Sequence, residues 1–208
     1  MSEAAKSKIK SVADAAVAPS KEAYVELLNE MRVHAKQLST GTARGVLMAS
    51  PHLQHLHLRS LYLNTSANDP AVKRLEPLAK EVGEEQSNQS EQELTKATET
   101  FQNSGSTDTK SYKDKLEELR NRDHKAAAER IDKMYDAAIG EVEKFPGSAD
   151  AVVGFMDLFG GLFNSVLDKI TAFFVEIGQK ILSWLKNVWE KITNTFHSVV
   201  NWVSGWFS

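Results

Sequence analysis

The chain has 208 residues, 25 Lys+Arg against 28 Asp+Glu, no Cys, 5 Pro and 11 Gly. This length accommodates one domain or two small ones, and the near-neutral balance argues against a general phosphate-backbone binder. The absence of Cys excludes disulfides, thiolate metal sites and Cys nucleophiles, while leaving the redox compartment open.

The averages hide two unlike parts that meet at Pro146-Gly147. Residues 1–145 carry 21 basic and 23 acidic side chains, and residues 146–208 carry 4 and 5. All four Trp and seven of nine Phe follow the split, and all four Tyr precede it. The first part reads as a soluble helical region. The second reads as a surface made to meet hydrocarbon or another apolar face.

At the N-terminus, Lys6, Lys8 and Lys10 are followed by an Ala-rich stretch containing Asp14. It lacks a bulky apolar core, so no signal peptide is expected. The chain is accordingly expected to be cytoplasmic and peripheral to a membrane, or released to act on a target membrane. A first helix is predicted from Ser20 to Thr40, with Tyr24, Leu27, Leu28, Met31, Ala35 and Leu38 at helical spacing and Gly41 as its stop. Gly45 to Leu63 is Leu- and His-rich and only weakly helical in pattern. Asn64-Thr65-Ser66 matches an N-glycosylation acceptor, a reading that the missing signal peptide disfavours. Asp69-Pro70 opens a further helix. Pro77 is expected to kink or break it and Gly83 to end it.

Residues 84–110 are poor in anchors. A short helix at Ser90 with Glu93 in a capping box is expected, then a flexible linker over 102–110. From Ser111 to Phe145 the helical pattern is strong, and its mixed charges between Lys113 and Arg130 read as a solvated face with i,i+4 pairs. Pro146 and Gly147 then form a hinge over 146–150. The resulting organisation is a polar helical region (1–101), the linker (102–110), an amphipathic helix (111–145), the hinge, and a strongly apolar amphipathic helix (151–208). No strand alternation appears, so the fold class is all-α, with long helices in an extended hairpin or bundle.

The C-terminal segment repeats every 11 residues. Units begin at Leu158, Lys169, Lys180, Lys191 and Trp202. Their second positions are Phe159, Ile170, Ile181, Ile192 and Val203, and their sixth are Phe163, Phe174, Leu185, Phe196 and Phe207. Their ninth are Val166, Ile177, Val188 and Val199, and their last are Asp168, Gln179, Glu190 and Asn201. Eleven residues in three turns is 3.67 per turn, so the apolar face stays nearly in line along a straight helix. An unbroken helix from Ala151 to Phe207, about 85 Å long, is projected, with bends at Gly160-Gly161 and Gly178. Its charges argue against a membrane-spanning helix. Trp184, Trp189 and Trp202 fall toward the edges of the apolar arc, and Trp206 joins the stripe near its end.

This 11-residue amphipathic repeat is similar in pattern to exchangeable apolipoproteins, perilipin-type lipid-droplet coats and synuclein-like proteins. The resemblance covers residues 111–207 and implies reversible adsorption of a helix to lipid. The face here is heavier in Phe, Trp, Ile and Leu than those coats use. The segment from Gly161-Leu162-Phe163-Asn164 also looks like short bacterial lytic peptides.

The stripe can equally pack as a core or as an oligomer seam. Three features favour lipid. Residues 151–207 hold 29 large apolar side chains, several tens of kcal/mol of burial as an upper bound. The N-terminal part offers few large apolar residues to cover them. Lys169, Lys180 and Lys191 line one border, where lysine can snorkel. The expected function is a membrane-active protein that inserts or adsorbs this helix and permeabilises or remodels membranes. The alternatives are a lipid-droplet or lipoprotein-like coat and a self-assembling coiled-coil structural protein. The expected partners are a lipid surface and further copies of the chain. His52, His55 and His57 are the one metal-like cluster, without an acidic residue nearby to complete a site. No P-loop, dinucleotide fingerprint or nucleophile elbow is present, so neither an enzyme, a cofactor, a small-molecule substrate nor a nucleic-acid partner is expected.

Overall fold

The computed structural model describes residues 19–43, 45, 47, 49–63 and 68–207. The signal-peptide reading of the first residues and the Asn64-Thr65-Ser66 acceptor lie outside them. The fold is all-helical. Six α-helices follow in order among the described residues: α1 (Lys21–Ser39), α2 (Gln54–Leu63), α3 (Pro70–Asn103), α4 (Thr109–Lys144), α5 (Ala149–Trp184) and α6 (Val188–Ser204). A single 3-10 turn, Pro146–Ser148, joins α4 to α5.

Local chemistry sets most of the boundaries. Ser20 caps α1 by accepting from the Ala23 amide, and Asp69 caps α3 by accepting from the Ala71 amide, with Pro70 in the first turn. Asp108 caps α4 through the Lys110 and Ser111 amides. Gly41 and Gly105 turn the chain with φ of 69° and 60° after α1 and α3, a conformation that glycine adopts without a Cβ penalty.

The interior departs from expectation in three places. The helix from Pro70 does not end at Gly83 but continues for 34 residues to Asn103, with Pro77 inside it. Its inward face, from Ala71 to Phe101, is buried along the whole length, and this packing offsets the hydrogen bond that Pro77 cannot donate. Ser90 does not cap a new helix: it lies mid-helix, buried, and donates to the Gln86 carbonyl. The projected C-terminal helix is not continuous. It runs through Gly160-Gly161 and Gly178 and breaks instead at Leu185–Asn187. The interval 102–110 holds the last residues of α3, the turn from Ser104 to Asp108, and the start of α4.

Four helices pack side by side with alternating direction. Arg74 meets Glu141 and Glu81 meets Lys133 across α3 and α4. Leu116 lies against Gly178 and Tyr135 against Gly160 across α4 and α5. Phe155 meets Phe207 and Phe173 meets Phe196 across α5 and α6. Gly83 lies against Val203 and Trp206, which brings α6 back onto α3. α1 runs antiparallel to α4, tied by Arg32–Asp136 and Lys36–Asp132, each 2.6 Å. α5 touches every other helix. By length and composition alone, Pro146–Trp184 is long and apolar enough to cross a membrane.

Candidate functional site

The apolar stripe is turned inward. At the second position of the repeat, Phe159, Ile170, Ile181, Ile192 and Val203 are all buried. At the ninth, Val166, Ile177, Val188 and Val199 are buried, and at the sixth Phe163, Phe174 and Phe196. Leu185 and Phe207, the remaining sixth-position residues, are partly buried at the corner and the end of the hairpin. The last positions, Asp168, Gln179, Glu190 and Asn201, are all exposed. These apolar positions thus lie on the inward side of α5 and α6, and the polar ones on the solvent side.

Tryptophan marks the stripe's margins. Trp184, Trp189 and Trp202 are partly buried, and Trp206 is buried. Lys180 and Lys191 both place their ammonium groups over the Trp184 ring, at 5.3 and 4.4 Å from its centroid. Lys169 does the same over Trp202 at 5.4 Å. The three repeat-leading lysines thus lie over or beside indole faces, a cation–π arrangement.

The cover comes from the polar half of the chain, and its amount was missed in the sequence. α1 contributes Tyr24, Leu27, Leu28 and Met31, and α4 contributes Leu116, Leu119, Ile131, Met134 and Val142. Phe145, the last apolar residue of the 111–145 pattern, does not join them and is 46% exposed. Its ring lies under the Arg74 guanidinium, 4.5 Å from the centroid.

Midway along α3 the cover changes character. Between Val82 and Leu94 its buried residues are Gly83, Gln86, Ser87 and Ser90. Ser90 Oγ and Gln86 Nε2 both donate to Asp123 Oδ1 of α4, at 2.7 and 3.1 Å. Gln86 Oε1 in turn accepts from Arg130, at 2.8 Å. Asp123 is 5% exposed, and its Oδ2 has no partner among the described residues. Burial pushes its carboxyl up to about 6, against the smaller opposing pull of the Ser90 hydroxyl. Sequence reasoning ends one helix at Gly83 and starts a short one at Ser90, because polar side chains at helical spacing give no apolar period to join them.

The joint between the two parts is built at residues 145–150. Phe145 leaves helical geometry at φ −132° and ψ 71°, as the residue before proline does. Pro146 then starts the single turn, and a Cβ at Gly147 would touch nothing. Three groups clasp the start of α5 from outside. Tyr24 and Ser60 donate to Asp150 Oδ1 at 2.7 and 2.9 Å, and Arg59 pairs with Oδ2 at 3.0 Å. Burial, with the Asp150 carboxylate beside it, pushes the Tyr24 phenol above its ordinary value.

The histidine cluster is dispersed. Buried His57 faces Asp157 at 3.3 Å, and exposed His52 faces Glu26 at 3.1 Å. Among the described residues no group of three or more His, Asp or Glu is arranged to hold a metal ion. No protein-family model, curated protein or solved structure matches the chain.

Proposed function

We propose that the protein is membrane-active: it carries a bulky amphipathic stripe folded inward while in water, and turns it outward onto lipid. The two helical hairpins, α3–α4 and α5–α6, pack face to face and are joined in the chain by the short turn at Pro146-Gly147. The observation that carries the reading is the mismatch between them. α5 and α6 present Phe, Ile, Val and Trp, while the middle of their α3 cover is Gly83, Gln86, Ser87 and Ser90 backed by a buried carboxylate. Such a layer contributes little apolar burial, and a partly satisfied polar network is costly to keep dry. Rotation about Pro146-Gly147 would re-expose this layer to water and offer the stripe to hydrocarbon.

On lipid, the stripe from Phe159 to Phe207 would lie in the interface with Trp184, Trp189 and Trp202 at headgroup level. Its near-neutral charge, 4 basic against 5 acidic from residue 146 onward, makes adsorption depend on apolar area more than on anionic lipid. Several copies acting together would permeabilise or reshape the membrane, as a peripheral protein or as one released toward a target. This reading assigns no catalytic role.

The test is flotation with neutral and anionic vesicles, combined with dye release and Trp emission. Co-flotation with a blue shift and leakage supports the membrane-active reading. Flotation without leakage moves the function to a lipid-droplet or lipoprotein-like coat, which the neutral charge of the stripe half also suits. A lipid-independent oligomer that ignores vesicles at micromolar protein overturns both in favour of a self-assembling structural protein.

A further inference from the structure

A groove of about 660 Å³ runs between α3 and α4, outside the bundle interior. Its volume falls within the range of small-ligand sites, roughly 300–1,000 Å³. Its floor is apolar: Ala97, Phe101, Tyr112 and Leu119 line it, and all four are buried. The Phe101 and Tyr112 rings lie 4.7 Å apart. The Tyr112 hydroxyl is already bonded to Thr98 at 2.8 Å, so the phenol presents the groove with its ring rather than with a free polar group. Small side chains at Thr100, Ser104, Ser106 and Ser111 leave the space unfilled.

The charged side chains that line this groove have a basic excess of one, Lys96, Lys115 and Arg122 against Glu93 and Asp108. Two acids line it. Glu93 is held by Gln89 at 3.0 Å and by Arg122 at 3.5 Å. Asp108 is committed to the Lys110 and Ser111 amides as the cap of α4. Lys96 lines the groove and has no carboxylate within ion-pair distance among the described residues. Lys115 lines it too, paired only with Glu118 on its own helix at 2.7 Å. The first amides of the 36-residue α4, at the same place, are already taken by Asp108, so an incoming anion would be met by Lys96 and Lys115 from the two facing helices. An apolar floor with a small basic excess, and with Lys96 unpaired among the described residues at the rim, suits an alkyl chain carrying an anionic head.

We infer that the α3–α4 groove binds a single-chain anionic amphiphile, with its chain on Phe101, Tyr112 and Leu119 and its carboxylate or phosphate between Lys96 and Lys115. Membrane-derived lysolipid phosphates and free fatty carboxylates share this chemistry. The site is separate from the inward stripe and does not depend on the membrane reading.

The experiment titrates the full chain with 11-(dansylamino)undecanoate below its micellar concentration, then competes with C12 amphiphiles. One probe per chain is expected, displaced by laurate and by dodecyl phosphate, and at least tenfold more weakly by dodecyltrimethylammonium. Preferential displacement by dodecyl phosphate identifies the lysolipid source, and by laurate the fatty-acid source. Thr100→Trp, at an exposed position facing the groove, should weaken the probe at least tenfold, and Lys96→Glu about tenfold. Helicity and melting temperature establish that each variant folds, and Ser104→Trp replaces Thr100→Trp if it does not. Several probes per chain, equal displacement by the cationic amphiphile, or affinity unchanged in both the Trp and the Lys96→Glu variants overturns the assignment. Vesicle flotation of the same groove-blocked variant separates the two readings, because stripe binding should survive Thr100→Trp.

Discussion

A Cβ built on Gly83 would sit 2.8 Å from Cγ1 of Val203 and 3.1 Å from the Trp206 ring. Gly83 is therefore a point of close approach between α6 and α3, and its missing side chain serves packing. Gly83→Val should lower stability by about 2–3 kcal/mol, because Val203 is β-branched and the indole is large, so neither yields cheaply. Thermal unfolding measures it. A melting temperature equal to that of the parent would show that α3 and α6 are not seated this closely.

Val188 and Gln179 test the direction of the stripe. Val188 is fully buried and Gln179 is exposed. Val188→Asp should cost at least 3 kcal/mol in the folded bundle, and a comparable amount on lipid, where it would place a carboxylate in hydrocarbon. Gln179→Asp should stay within about 0.5 kcal/mol and bind vesicles as the parent does. Equal loss of vesicle binding in both variants contradicts the assigned face.

Asp123 gives the fold a pH dependence of definite sign. Its folded carboxyl lies at about 6 against an ordinary 3.8. The stabilising contribution of the protonated form is thus complete below about pH 4 and fades as pH rises through 6. At pH 7.5 the bundle carries a buried carboxylate between Ser90 and Gln86, with Glu93 repelling it and Arg130 and Arg122 offsetting part of the cost. Asp123→Asn should raise stability at pH 7.5 by about 1–2 kcal/mol and change it little at pH 4. Melting curves across that interval decide it, and a uniform shift at both pH values would place the cause elsewhere.

The clasp on Asp150 and the far end of the hairpin bear on opening. Asp150→Ala strands the Tyr24 hydroxyl and frees Arg59, while Ser60 keeps the Leu56 carbonyl, and should cost about 1–3 kcal/mol, with vesicle binding reached at lower lipid. Lys113 and Gly178 face each other at the end opposite the joint, where a Cβ on Gly178 would lie 3.6 Å from Lys113 Cγ. Cysteines at this pair should form a disulfide and suppress vesicle binding until reduced. Undiminished binding by the crosslinked chain would remove Pro146-Gly147 as the opening point.

Much of the helical layout was legible because local chemistry carries it: Ser20, Asp69 and Pro146 announce boundaries that the fold keeps. The stripe's inward and outward positions were legible for the same reason, since an 11-residue period maps onto one side of a helix. The continuation of α3 past Pro77 and Gly83 was not. It depends on partners distant in sequence, Val203, Trp206 and Asp123, whose contacts have no signature near residues 77–90. The cover was underestimated because much of it comes from Ala, Ser and Gly positions and from tyrosines whose hydroxyls are engaged across helices, Tyr24 with Asp150 and Tyr112 with Thr98.

The corner at Leu185, Lys186 and Asn187 differs from the other turns described. α1 and α3 are left through glycines at positive φ, and α4 is stopped by proline, whereas this corner contains neither residue. Leu185 itself keeps helical angles, φ −49° and ψ −30°. The chain is bent there by what α5 and α6 gain from facing each other, chiefly Phe173 with Phe196 and Phe155 with Phe207. Without that mutual contact, nothing in the local sequence opposes straightening, and the repeat passes through the corner with its phase intact. Straightened at this corner, the hairpin would be a single rod more than three times the length of α6 and about half again that of α5.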